Sequence, residues 1–453
     1  MTTSSSALRA FALVSLVSVG AIGAGCQHRG STPSPAAGPD SLSLLRDVRY
    51  LASDALEGRG TGTAGNDSAA AHISRRFASL GLAPAFTASD TRVCAPVTGS
   101  TNATCNGRFV QPFVARSVAA MHAGLPSEMP TQNVAAIIPG SDPKLRDEYI
   151  VLGAHFDHLG RSSLGALDPD DKNAIHNGAD DNASGTAAVI ELARLLHARP
   201  AKRSVIVVTF SGEELGLLGS EYFVQHLPVP IEKVRAMLNF DMVGRMRDDR
   251  VIVYGALTAQ QMNDIITRAN AVAPLQVTAT GDGFGASDHS SFYARNMPVL
   301  HFFTNVHDDY HKASDDADKV NAARMARVVG LAERIARDIA DRDAPLTFVR
   351  AVAAAPTTSS REGTAVYLGS IPDMGAVEVS GVRLTGVRAE SPADKAGMKP
   401  GDIIVEFDGK AVKDLQSYSD ALYGKKPGDV VDVIVVRGAE RITMKVTLAR
   451  RGS

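Results

Sequence analysis

Residues 149–158 read YIVLGAHFDH, and residues 205–214 read VIVVTFSGEE. Each is a short apolar run of strand length that stops at polar side chains able to do chemistry. The start of the second, VIVVTF, is continuous and β-branched, as expected of a strand buried on both faces. Between them, in 185–199, Val189, Leu192, Ala193 and Leu196 fall at i, i+3, i+4 and i+7, the spacing of one helix face. The alternation continues outward. Residues 41–53 and 65–82 have helical, Ala- and Leu-rich spacing, separated by 56–63 (LEGRGTGT), too Gly-rich for either regular element. Residues 236–240, 251–254 and 299–303 are further strands, and 216–226 suits a helix. Residues 319–342 form a long amphipathic helix with Met325, Val328, Ala332, Ile335 and Ile339 on one side. Strands alternating with helices predict an α/β domain whose sheet is covered on both faces.

The chain has 453 residues, an allowance of roughly three domains at about 150 residues each. Hydrophobic residues make up 44% and charged residues 21%, which excludes global disorder and a polytopic membrane protein. A formal net charge of -2 gives no basic field for nucleic acid. Trp is absent and aromatics are 5%, which weakens any case for a sugar- or base-stacking surface. Three Cys make no disulfide scaffold, and the odd count asks what the third is for.

The N-terminus carries an address. Residues 10–25 are uncharged, small and apolar behind Arg9, and sixteen residues fall short of the roughly 20 that span a bilayer. The run reads as a secretory signal, 1–26, ending in Gly23-Ala24-Gly25-Cys26. That ending resembles the bacterial lipobox, in which the Cys is lipidated, although Gly23 stands where Leu is usual; the plain alternative is an ordinary signal peptide. Export to the periplasm or cell envelope follows, with the membrane reached only through the lipid anchor. Residues 27–40 form a Pro-rich linker. Cys94 and Cys105 then flank a Gly/Thr/Asn-rich stretch in an oxidising compartment and are candidates for one disulfide, the alternative being two unpaired thiols.

Five polar clusters sit where strands end or helices begin: His155-Phe156-Asp157-His158, Asp180-Asp181-Asn182, Ser211-Gly212-Glu213-Glu214, Asn239-Phe240-Asp241 and Tyr310-His311. In open α/β sheets ligands collect at the carboxyl ends of strands, so the clusters can converge on one crevice. Each alone has a bland reading, an N-cap for an Asp before a helix or a solvated face for a Glu pair. Together, two His and several carboxylates are the ligand set of a hydrolytic zinc centre. In a Glu-Glu pair one carboxylate can bind metal while its neighbour stays free as a general base.

Residues 41–345 resemble the zinc-dependent M28 peptidases, the group of leucyl-type aminopeptidases. The segments LASDALEGRGTGTAGN, GAHFDHLG, NGADDNASG, SGEELGLLGS, NFDMVG, ASDHSSF and DDYHKASDDADKV occur in the family's order. The resemblance implies a three-layer αβα domain with a mixed, mostly parallel sheet, and two zinc ions. His155 would bind one zinc and His311 the other, Asp181 would bridge them, and Glu214 and Asp241 would complete the sites. Glu213 would be the general base, Asp157 the partner that orients His155, Asp315 a similar partner of His311, and Tyr310 a donor to the oxyanion. Asp180 and Asp288 would have support roles. Lys312 departs from the Thr that commonly follows the His.

Beyond a second linker, 346–360, the pattern changes to short strands with Gly/Pro/Asp turns, a small domain of about 90 residues over 361–450. Ser391-Pro392 reads as an N-cap with Pro at the first helical position, and Asp408-Gly409 as a two-residue hairpin turn. Residues 379–445, above all SPADKAGMKPGDIIVEFDGKAV, resemble a bacterial PDZ domain, implying a small mainly-β fold. Tyr367-Leu368-Gly369-Ser370 resembles its carboxylate-binding loop, which captures a peptide C-terminus, although Ser370 replaces the usual apolar residue. The alternative is a PDZ fold that only packs or dimerises.

The expected function is an exported di-zinc aminopeptidase acting on peptides or proteins. The competing readings are a non-catalytic peptide-binding protein built on the same fold, and a carboxypeptidase- or glutaminyl-cyclase-type relative that shares the metal motifs.

Overall fold

Strand positions in the larger domain sort by parity. Ile150, Leu152, Ala154, Val205 and Val207 join one apolar cluster, while Val151, Ile206, Val208 and Phe210 join another. Successive strand side chains point to opposite faces, so the sheet carries two cores. The computed structural model describes residues 38–86 and 109–350, apart from 118–119, 122–124, 162–163, 169–173 and 282. It also describes 366–372, 380–387, 391–413, 417–418, 421–422 and 425–450. The lipidation candidate Cys26, the disulfide candidates Cys94 and Cys105 and most of both linkers lie outside these residues.

The strands are β1 (Ala83–Pro84), β2 (Val110–Ala115), β3 (Met129–Ile138), β4 (Tyr149–His155), β5 (Ser204–Phe210), β6 (Val234–Phe240), β7 (Arg250–Tyr254), β8 (Gln276–Thr280) and β9 (Val299–Phe303). Among the described residues they form one sheet in the order β1-β3-β5-β4-β6-β9-β7-β8, with β2 paired to β3. The central block β5-β4-β6-β9 is parallel throughout. Antiparallel pairs join β3 to β5 and β7 to β9 at its flanks. The helices are α1 (Ser41–Leu51), α2 (Ala64–Ser79), α3 (Gly185–Ala198), α4 (Leu218–Gln225), α5 (Met262–Val272), α6 (His289–Tyr293) and α7 (Ala322–Asp341). The first core draws on α1, α2, α3, α5 and α7, and the second on α4 and α6, giving three layers.

Two features depart from the sequence reading. Residues Asp54–Arg59 form a 3-10 turn inside the Gly-rich stretch, with Glu57 and Gly58 in left-handed conformations. The β2–β3 hairpin also goes unread. Pro112, Pro130 and the polar run Thr131-Gln132-Asn133 hide it, yet these polar side chains are buried and bonded: Thr131 Oγ1 donates to Asn66 Oδ1 at 2.8 Å, and Asn133 Nδ2 to Gln111 Oε1 at 2.9 Å.

The C-terminal residues have a core of their own, drawn from residues 366–448. Strands β10 (Val366–Tyr367), β11 (Ser370–Pro372), β12 (Val382–Val387), β13 (Ile403–Phe407), β14 (Lys410–Ala411), β15 (Val430–Arg437), β16 (Glu440–Thr447) and β17 (Ala449–Arg450) pair antiparallel. The larger sheet runs β11-β12-β13-β15-β16. Ser391 Oγ accepts from Asp394 N–H at 3.2 Å at the start of α8 (Pro392–Lys395), the expected cap. Asp408 and Gly409 turn β13 into β14 with φ of 48° and 77°, as a two-residue hairpin of this type requires. No helix among the described residues is long and apolar enough to cross a membrane.

Candidate active site

The parallel block brings its strand ends to one edge of the sheet. His155 closes β4, Glu213 and Glu214 follow β5, Asp241 follows β6, and His311 lies beyond β9. Asp181 reaches the same edge from the turn that precedes α3. That turn is held by side chains that supply the partners its backbone lacks. Asp315 Oδ2 accepts from the N–H of both Asp180 and Asp181 at 3.0 Å. The fully buried Arg59 donates to the carbonyls of Phe156, Leu51, Asn177 and Gly178, tying the 3-10 turn, the end of β4 and the Asp181 loop together. Burial lowers the Arg59 pKa to about 10 against the attraction of Asp157 and Asp181, so the guanidinium remains a cation beneath the carboxylates.

Two groups of donors face one another across Asp181. His155 Nε2 lies 3.3 Å from Asp181 Oδ1 and 3.5 Å from Asp241 Oδ1. His311 Nε2 lies 3.2 Å from Asp181 Oδ2 and 3.3 Å from Glu214 Oε2. The two oxygens of one carboxylate thus serve different imidazoles. Zinc bound tetrahedrally at about 2.0–2.1 Å sets its ligand atoms about 3.3 Å from each other, close to the spacing from each imidazole to its two carboxylates. The ring tautomers agree. His155 Nδ1–H donates to the main-chain carbonyl of Asp157 at 3.2 Å, and His311 Nδ1–H to that of Gly165 at 2.8 Å. Carbonyls only accept, so both Nε2 atoms turn toward the carboxylates as ligands. The residues present therefore fit zinc.

The electrostatics follow from burial and crowding. Burial opposes charge on both imidazoles, yet Glu213 and Asp241 hold His155 well above the ordinary imidazole value, and Glu214 and Asp181 do the same for His311. A metal taking the Nε2 lone pairs displaces those protons. Burial raises the Glu213 carboxyl well above the usual carboxylate range against the pull of His155, with Glu214, Asp288 and Asp241 adding to the rise. Burial also raises Asp288 to about 7. Glu213 Oε2 is 4.0 Å from His155 Nε2, farther than either Asp181 or Asp241. Tyr310 stacks on His311 at 3.9 Å between ring centroids, and burial with the nearby carboxylates keeps its hydroxyl protonated.

One expected contact is refined and one corrected. The Asp157 carboxylate pairs with His155 Nδ1 at 3.7 Å, and the ring N–H goes to the main-chain carbonyl of Asp157. That carboxylate accepts from Glu213 N–H at 3.2 Å and from Thr61 Oγ1 at 2.9 Å, so it positions Glu213. Asp315 does not orient His311; its Oδ2 is committed to the backbone of the Asp181 loop. His158, quoted in the motif but given no role, is buried and bonds through Nδ1 to Glu214 Oε1 at 2.7 Å. Ser287 donates to Asp241 Oδ2 at 2.7 Å, and Asn239 Nδ2 to Ser287 Oγ at 2.7 Å. Nothing in the spacing of these residues announces such contacts, which exist only once the strand ends meet.

In the C-terminal domain, Tyr367 lies in β10 and Ser370 opens β11, an edge strand paired only to β12 among the described residues. Gly369 between them has φ +88°, and a Cβ there would lie 2.2 Å from that of Ser391. Leu368 is buried, its carbonyl accepting from Ala393 N–H at 2.8 Å. Ser370 Oγ and the Tyr418 hydroxyl are 2.5 Å apart.

Fold and site together define an α/β domain with a candidate zinc centre, followed by a small antiparallel β domain. Residues 133–335 match the model of peptidase family M28, and residues 358–448 match that of the PDZ domain. Leupeptin-inactivating enzyme 1 of Streptomyces exfoliatus is 32% identical over 191 residues, 41% of this chain and 38% of that protein. A probable leucine aminopeptidase of Trichophyton verrucosum is 30% identical over 197 residues, 40% of this chain and 49% of that protein. The chain thus spans half or less of the length of these relatives. Among solved structures, a leucine aminopeptidase precursor from Bacteroides thetaiotaomicron superposes with a TM-score of 0.53 at 16% identity, over 67% of this chain and 99% of that one. A Zn-dependent exopeptidase from Parabacteroides distasonis gives 0.53 and 16%, over 67% and 100%. These likenesses bear out the α/β fold.

Proposed function

We propose that the chain is an exported di-zinc aminopeptidase. One observation carries the reading: the two oxygens of Asp181 address different imidazoles, and each pair is completed by a further carboxylate. His155 and Asp241 would hold one zinc, His311 and Glu214 the other, with Asp181 shared between the two sets. When bound, zinc supplies Lewis acidity, making water a nucleophile near neutral pH and polarising a carbonyl.

The chain's own residues supply the rest. Glu213 takes the proton of the attacking water at its carboxylate and returns it to the leaving amine. Burial raises its pKa, which favours its holding the proton it takes. Asp157 holds Glu213 in place through the main-chain N–H. Tyr310 donates its O–H to the oxyanion that develops on the scissile carbonyl. The presence of Glu213 beside the ligand set favours catalysis over a purely binding role.

Among the described residues β11 is an edge strand, and it follows the Tyr367-Leu368-Gly369-Ser370 loop, which supports capture of a peptide C-terminus by strand addition. The apolar run behind Arg9, ending at Cys26, supports export with a lipid anchor at the cell envelope.

The test is hydrolysis of an amino-acid p-nitroanilide against its N-acetylated form, with zinc analysis of the same protein. Cleavage of the free amine alone supports an aminopeptidase. Equal cleavage of both points to an endopeptidase, and inactivity on both with cyclisation of an N-terminal Gln or release of a C-terminal residue points to the relatives that share this centre.

A further inference from the structure

The two ligand imidazoles are held by different means. His155 ends β4 and its ring bonds to a carbonyl two residues on, so its orientation is built into one stretch of chain. His311 lies beyond β9 with φ +54°, a left-handed conformation that a β-substituted residue rarely adopts without outside support. Its support comes from another loop, residues 164–168. His311 Nδ1–H donates to Gly165 carbonyl at 2.8 Å, and Leu167 N–H returns a bond to His311 carbonyl at 2.8 Å. Gly165 has φ +82°, and a Cβ there would come within 3.7 Å of His311 Nδ1.

One carboxylate pins this loop at both sides. Asp168 Oδ2 accepts from Ala313 N–H at 2.8 Å, two residues past His311, and Oδ1 accepts from His176 Nε2–H at 2.8 Å. An ionised carboxylate only accepts, so the His176 ring must present Nε2–H to it. His176 is itself fixed. It is buried, its N–H donates to Gly160 carbonyl at 2.9 Å, and it joins Gly160 in an isolated bridge just beyond the His155 strand. The chain of contacts runs from the rigid end of β4 through Gly160, His176 and Asp168 to the loop that aims His311.

We propose that Asp168 and His176 are positioning residues for the zinc site of His311, and that they leave the site of His155 untouched. The proposal rests on the two-zinc reading. Partners that orient a metal-binding His typically contribute 10–100-fold in metal affinity when removed. The asymmetry separates this role from a general structural one, because lost fold stability would weaken both sites together.

The experiment is a competitive zinc titration of the full chain with a chromophoric chelator, run on wild type, D168N, H176A and H176Q, with Tm measured on each. Wild type is expected to bind two zincs, and H311A to keep one. D168N and H176A should lower the affinity of one zinc by about 10–100-fold and leave the other unchanged. H176Q keeps an N–H donor and should recover most of that loss. D168N is isosteric and guards against a variant that fails to fold. Cobalt-loaded D168N should show an altered visible spectrum for one of its two ions. Two wild-type zincs with D168N affinities unchanged, or reduced equally at both sites, overturn the positioning role alone. A wild type that binds a single zinc overturns the two-zinc reading and this inference with it.

Discussion

Glu213 and Glu214 are neighbours with opposite fates. Glu214 faces His158 and His311, and despite its burial and the charge of Asp181 those imidazoles hold it at about 2. Glu213 lies 4.0 Å from His155 Nε2, farther than Asp181 or Asp241, and burial pushes its pKa up. The proposed split into a ligand and a base rests on environment, not residue type. Glu213→Gln should therefore retain its zinc while kcat falls about 10²–10⁴-fold, measured by metal analysis and steady-state kinetics on one preparation. Wild-type turnover in that variant would contradict the assignment.

Another single carboxylate governs stability. Glu148 accepts from Arg235 at 2.5 Å and from the buried Arg203 at 2.7 Å, and these bonds outweigh its desolvation to hold it near 2, below its usual 4.5. A depressed carboxylate stabilises the fold above its unfolded pKa and loses that contribution as pH falls through its folded one. The stability gap between wild type and Glu148→Gln, read by urea unfolding, should be widest at pH 7 and close steadily from about 4.5 to about 2.

His155, Glu214 and Asp241 were legible as candidates because each follows an apolar run of strand length, and Asp181 and His311 because seven motif segments keep a familiar order. The supports were not. Arg59, His158, Asp168 and His176 act through residues far away in sequence, and a lone Arg or His in a Gly-rich loop carries no mark of its partner. Asp157 shows the finer limit. The motif placed it beside His155, but only the fold reveals that its main chain serves the ring while its carboxylate serves Glu213.

The elements follow the same logic. The central strands were readable because burial on both faces makes them uniformly apolar, and α7 because Met325, Val328, Ala332, Ile335 and Ile339 are buried at helical spacing. Strand β8 went unread because its residues are largely exposed and give no apolar face. Packing should therefore show its cost in the center of the sheet. Leu152 in β4 is fully buried, and Leu152→Ala should cost about 2–5 kcal/mol of unfolding free energy. Val430, exposed at the start of β15, should change stability by less than about 0.5 kcal/mol when replaced by Ala. Chemical denaturation of both variants checks the contrast.

At the scale of the whole molecule, the described residues resolve into an α/β domain and a small antiparallel β domain that matches the PDZ model. The C-terminal residues have their own apolar core and their own sheets, separate from the nine-stranded sheet. Calorimetry should therefore resolve two transitions. On the proposed function zinc binds only the folded α/β domain, so a chelator should lower one transition and leave the other in place. A single transition moved as a whole by chelation would contradict that independence.

The central claim is that Asp181 joins two zinc sites into one hydrolytic centre. Its most direct test is zinc content and p-nitroanilide hydrolysis measured together as metal is withdrawn and restored. The account predicts two zincs per chain, activity lost on their removal and regained on their return, and loss of zinc from both sites in Asp181→Ala. Full hydrolysis by protein stripped of all metal would contradict it.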